Sequence, residues 1–221
     1  MSSPIKPTFK SEIVPLAMIL ISIPLSFYFY ANFPERVASH WDFQGQVNGY
    51  GSRGFMAFFF PALIAGMYLL FLILPYFDPK RERYGEFKKF YHIFKALIIT
   101  VMFAIYSATG LFNLGYPLNI GIIVSLLIGL MMIVMGKYMG EIKSNWFVGI
   151  RTPWTMSSET VWNKTHHVGG YLFMFLGLCI IVAPWLPIIL ATIIFIIGIL
   201  SATVGTFCYS YWLYRQEQAK K

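Results

Sequence analysis

Residues 118–138 read LNIGIIVSLLIGLMMIVMGKY, and no residue ahead of Lys137 in that run carries a charge. About 20 mostly apolar residues make a helix long enough to cross the hydrocarbon core of a bilayer. Inside lipid every backbone polar group must find its partner within the protein, so only helices and closed barrels span. The run does not alternate with period two, which excludes a barrel strand. Runs of the same kind lie at roughly 13–31, 55–77, 93–113, 170–187 and 188–212. The last two meet at Ala183-Pro-Trp-Leu-Pro187, whose prolines break the helix and set a tight turn.

Composition agrees. The 221 residues are 57% hydrophobic and 12% charged, where a soluble domain carries roughly 25% charged residues. Mean hydropathy is +0.64. The expected fold class is an all-α integral membrane protein, a six-transmembrane-helix bundle. Residues 1–115 form an N-terminal three-helix membrane region with an outer loop at 32–54. Residues 116–221 form a C-terminal three-helix region with a signature loop at 139–169. The first run is too long for a cleaved signal, carries Pro15 and Pro24, and lacks a small-x-small cleavage site, so it reads as a retained helix.

The net charge of +8 suggests nucleic acid, but its distribution points elsewhere. Of 17 basic residues, all but Arg36 and Arg53 fall on one side of the alternating spans, at 6–10, 80–95, 137–164 and 215–221. This positive-inside asymmetry predicts cytoplasmic N and C termini in a plasma membrane. The charge serves orientation toward anionic lipid rather than direct nucleic-acid binding. The spans 55–77, 96–136 and 168–214 hold no Asp, Glu, Lys or Arg. Ion-coupled transporters place an ionisable group at membrane depth, so the pattern disfavours that class. A small permease without coupling charges remains the alternative reading.

Gly121, Ser125 and Gly129, and later Ser201 and Gly205, recur every four residues, which lets helix backbones approach. Packing within one bundle is the plainer expectation, and a homo-oligomer face the sharper one. Cys179 and Cys208 read as small apolar residues. No metal or cofactor pattern is expected. Tyr and Trp near span ends fit interfacial belts.

Two polar segments remain, and lipid does not explain them. The outer loop carries Pro34, His40, Trp41, Asp42, Gly45 and Gly49. Its glycines allow sharp turns, and His40 and Asp42 of an extended strand would share a face. A compact loop with Trp41 at the headgroups and Asp42 capping a turn competes with a ligand-binding surface. No nucleophile with a positioned base is visible, so no catalysis is expected.

The inner loop carries three of the six tryptophans. Thr152 precedes Pro153 and should be extended. Ser157 or Ser158 can cap a helix with Glu159 in its first turn. Trp162 and His166, four apart, would be neighbours on one face. Arg151 offers a planar fork for a carboxylate, and Glu159 is its nearest obvious partner. An interfacial amphipathic helix competes with a docking surface made of Gly149, Arg151, Thr152, Pro153, Trp154, Ser158, Glu159, Trp162, Thr165 and His166.

The run Gly149-Ile-Arg-Thr-Pro-Trp-Thr155, followed by Ser158-Glu-Thr-Val-Trp-Asn-Lys-Thr165, resembles the signature of the SdpI family of multi-span bacterial immunity proteins. The segment from Phe33-Pro-Glu through His40-Trp41 to Gly51 is similar to the short N-terminal domain of unknown function that accompanies it. The resemblance implies resistance to a secreted antimicrobial peptide toxin, with the outer loop facing the toxin. It also implies a receptor role in which the Arg151–Trp162 segment holds a transcriptional repressor at the membrane.

Overall fold

The computed structural model describes residues 5–42 and 45–220. Phe43 and Gln44 of the outer loop and the terminal Lys221 lie outside them. Among the described residues, six helices are long and apolar enough to cross a membrane: Phe9–Asn32 (α1), Arg53–Phe77 (α2), Lys88–Asn113 (α3), Ile120–Tyr138 (α4) continued by a 3-10 turn to Glu141, Glu159–Val182 (α6), and a sixth span from Ile188 to Gln218. A short helix, Pro153–Ser157 (α5), precedes α6. The chain is an all-α integral membrane protein, as expected, and its one sheet among the described residues is a two-stranded hairpin.

Several helices begin earlier than their apolar runs. α1 starts at Phe9 because Thr8 and Ser11 form a reciprocal capping box, with Ser11 N donating to Thr8 Oγ1 at 3.3 Å and Thr8 N to Ser11 Oγ at 2.9 Å. α3 starts at Lys88 rather than near 93. The largest difference concerns α6, expected from about 170 and observed from Glu159. The second half of the signature is therefore the first turns of the fifth span, not loop.

The fold divides into two compact units that interleave along the chain. One comprises residues 7–72 and 95–128. Its core is Phe29, Phe33, Val37, Met56, Ala57 and Tyr106, and the Tyr106 hydroxyl donates to the Ala57 carbonyl at 2.8 Å. The ring of Phe29 lies against Gly110 so closely that a Cβ there would collide with it.

The other unit comprises, of the described residues, 5–6, 73–94 and 129–220. Here α4 and α6 touch backbone to backbone. A Cβ on Gly177 would lie 2.5 Å from the Gly129 carbonyl oxygen, and one on Gly170 equally close to that of Gly136. Gly129 thus serves packing inside the chain, the plainer of the two expectations. The sixth span contains Ile188–Leu200 (α7), a π-helical turn Ser201–Gly205, and Thr206–Gln218 (α8). Ser201 and Gly205 therefore sit in a local widening of the helix rather than on a regular small-residue stripe.

Candidate functional site

The signature folds as a knot of hydrogen bonds ahead of α6. Asn145 is fully buried and accepts from the N–H groups of Phe147 and Val148 (2.9 and 2.7 Å) while donating to the carbonyls of Lys143 and Val148. Asp78 is buried as well. It accepts from Trp146 N at 2.9 Å, Lys80 N at 2.7 Å and the Tyr84 hydroxyl at 3.0 Å. Burial first, then the Asp78 charge, pushes the Tyr84 hydroxyl well above its usual range. Neither Asn145 nor Asp78 was singled out from the sequence. Their signal was a lone polar residue beside a span boundary, which resembles ordinary loop.

Gly149 adopts φ +119, and a Cβ there would strike the His166 ring and come within 3.2 Å of the Trp162 indole. That turn brings Ile150 N within 2.9 Å of His166 Nε2. A backbone N–H can only donate, so Nε2 accepts. His166 Nδ1 then carries the proton and donates to the Trp162 carbonyl at 2.8 Å. Trp162 stacks on His166 at 4.1 Å between ring centroids and donates from Nε1 to the Ile142 carbonyl at 2.8 Å. Both rings are 0% exposed.

This overturns the expectation of a docking surface through Trp162, Thr165 and His166. They were correctly read as sharing a face, but that face is the core. The helix they start is the fifth span, so it is not an interfacial amphipathic helix.

Thr152 is extended, as expected from the following proline, and with Thr155 makes a capping box for α5. Its hydroxyl also meets that of Ser210 at 3.0 Å. Pro153 takes the first helical position, where its missing N–H costs nothing. Trp154 packs edgewise between Phe207 and Tyr211 at 4.8 and 4.9 Å. Ser158 caps α6, accepting from Val161 N at 3.3 Å, and donates to Glu217 at 2.6 Å. Glu159 lies in the first turn, where its charge suits the helix dipole.

The partner of Glu159 is another correction. Arg83, not Arg151, holds it, and Arg83 also reaches Glu86 at 3.3 Å. The hydrogen bond to Glu159 is the main cause that keeps the Arg83 guanidinium above its ordinary value. Arg151 is exposed and donates from Nη1 to the Trp146 carbonyl at 2.6 Å.

The outer segment is a hairpin, Arg36–Trp41 (β1) and Val47–Ser52 (β2), antiparallel with Arg36 opposite Ser52. Pro34 is exposed between α1 and β1. The hairpin is clamped by Asn113 of α3, which accepts from Ala38 N at 2.7 Å and donates to Ala38 O at 3.1 Å. His40 Nδ1 contacts the Asn48 side chain. Asp42 caps the turn, accepting from Gln46 N at 2.9 Å. Gly45 has φ +80 and approaches Asn119. Gly49 faces His40, where a Cβ would sit 2.9 Å from that of His40. Trp41 packs edge-on to Phe112 at 5.4 Å, so its ring serves the hairpin's attachment and not only the headgroups.

One feature contradicts the reading of nearly charge-free spans. α1, by starting early, carries Glu12 inside, and Lys95, at the edge of the expected 93–113 run, lies within α3. Lys95 Nζ donates to both Glu12 oxygens at 2.6 Å, with side chains only 3% and 9% exposed. Tyr68 of α2 and Ser11 also donate to that carboxylate at 2.8 Å. Three donors make four hydrogen bonds to its two oxygens, which matches the lone pairs of an ionised carboxylate.

Such an arrangement is that of a polytopic membrane protein whose polar signature is the folded root of one span. The SdpI/YfhL protein family model matches residues 141–210. The domain of unknown function DUF1648 matches residues 17–65. The chain is 25% identical over 207 residues to the Immunity protein SdpI of Bacillus subtilis (strain 168), covering 94% of this chain and 97% of that protein. No solved structure matches the chain.

Proposed function

We propose that this chain is a non-catalytic immunity protein of the bacterial cell membrane, protecting the cell that makes it from a secreted antimicrobial peptide toxin. The observation that carries the reading is similarity to a protein named for immunity over nearly the full length of both chains. The basic asymmetry of the loops supports cytoplasmic termini, which turns the hairpin toward the toxin. A clamped hairpin with exposed His40 and Tyr50 suits recognition of a peptide. The receptor role is the finer part of the proposal. The outward-facing edge of the signature, Arg151 and Trp146, is what a repressor would meet, since Trp162, Thr165 and His166 are buried.

The test is a killing assay in a sensitive strain without its own immunity gene, challenged with the Sdp peptide. Survival on expression of the chain is expected. Death, with the protein confirmed in the membrane, overturns the reading for this toxin. Arg151→Ala run alongside separates the two roles: retained protection with lost repressor recruitment is the expected pattern.

A further inference from the structure

Two acidic groups at or beside the signature are already taken. Asp78 is buried under Tyr84 and two backbone N–H groups, and Glu159 is held by Arg83. Arg151 has no carboxylate within ion-pair distance among the described residues. Its side chain is nevertheless oriented, because Nη1 is tied to the Trp146 carbonyl, and the Trp146 N–H is in turn anchored on buried Asp78. The result is an exposed guanidinium fork held on the backbone of a residue whose indole is 51% exposed. Both stand between the end of one span at Glu141 and the start of the next at Glu159.

A guanidinium fork matches the paired oxygens of a phosphate, and tryptophan prefers the headgroup layer, where one face is apolar and the edge is wet. We propose that Arg151 and Trp146 form a binding site for the phosphate headgroup of an anionic phospholipid. The indole lies along the glycerol and upper acyl region, and Arg151 pairs with the phosphodiester. The site leaves the immunity reading untouched but competes with its receptor part, because a lipid held at Arg151 and Trp146 occupies the edge offered there to a repressor.

The experiment uses full-length protein in phosphatidylcholine nanodiscs with and without phosphatidylglycerol, scoring retained lipid by native mass spectrometry. The wild type should retain phosphatidylglycerol in preference to phosphatidylcholine. Arg151→Gln should weaken that preference by about tenfold, the scale of one lost charge-assisted pair. Arg151→Lys, which keeps the charge but loses the fork, should recover it only partly. Lys88→Gln, the same charge change at another exposed position, should leave it unchanged. Equal melting temperatures in pure phosphatidylcholine show that the variants are folded, and if Arg151→Gln is not, the Arg151→Lys and Trp146→Ala pair carries the test. An unchanged preference in the Arg151 variants, or an equal loss in Lys88→Gln, overturns the proposal. So does Arg151-dependent capture of a glutamate-rich peptide in pure phosphatidylcholine without any phosphatidylglycerol preference, which would assign the fork to a protein partner.

Discussion

In the hairpin between α1 and α2, burial alternates weakly, the side chains of Ser39, His40, Asn48 and Tyr50 are exposed, and attachment rests on buried Val37, the Trp41–Phe112 contact and the Asn113 clamp. In the signature ahead of α6, the side chains that make its hydrogen-bonded turn point inward, and Asn145, Thr155, Trp162, Thr165 and His166 are at most 1% exposed. Both segments are polar and rich in Trp and Gly. The hairpin spends its polar groups on a surface, and the signature spends them on holding a turn against the root of a span. A dense motif is therefore not the same thing as a binding surface; here part of it is a buried scaffold and only the remainder, Trp146 and Arg151 among it, faces outward.

That contrast can be broken most severely at Trp162. Trp162→Ala should cost about 3–5 kcal/mol, combining lost burial with a cavity, and be seen as a large fall in detergent melting temperature or loss of membrane-localised protein. A near-neutral result would mean that the signature is not packed as described. Of similar size is Glu12→Leu, which leaves Lys95 buried without its countercharge at a cost of about 3–5 kcal/mol. The double variant Glu12→Leu/Lys95→Met should recover most of that loss, and failure to do so would show that the pair does more than balance charge.

The hairpin should respond less. Asn113→Ala removes the clamp and leaves the buried Ala38 N–H unsatisfied, at about 1–3 kcal/mol. Limited proteolysis should then cut within residues 36–52 first, whereas cutting in the signature would reverse the comparison. The smallest effect belongs to the exposed ion pair at the signature's rim. Arg83→Gln should change stability by less than about 1 kcal/mol, measured by thermal unfolding in the same detergent.

Six spans were legible because lipid is an unforgiving solvent: a segment either has the apolar length to cross or does not. The Ser158 cap, the extended Thr152 and the adjacency of Trp162 and His166 were legible for a similar reason, since each depends on residues within a few positions of one another. Helix starts were less so. Capping by Thr8 and Ser158 carries α1 and α6 beyond their apolar runs into polar sequence, and hydropathy has no term for a side-chain hydrogen bond to a backbone N–H.

Partner choice lay beyond the sequence altogether. Glu159 faces Arg151 across eight residues but pairs with Arg83, 76 positions away, and Glu12 meets Lys95 across 83. Length, apolar periodicity and local capping chemistry are short-range properties, and they were sufficient for the membrane class, the span count and the place of the two polar segments. Which charges neutralise each other, and which motif residues face inward, depends on how distant helices pack, because in a low-dielectric interior each charge must find its compensation wherever the fold brings it.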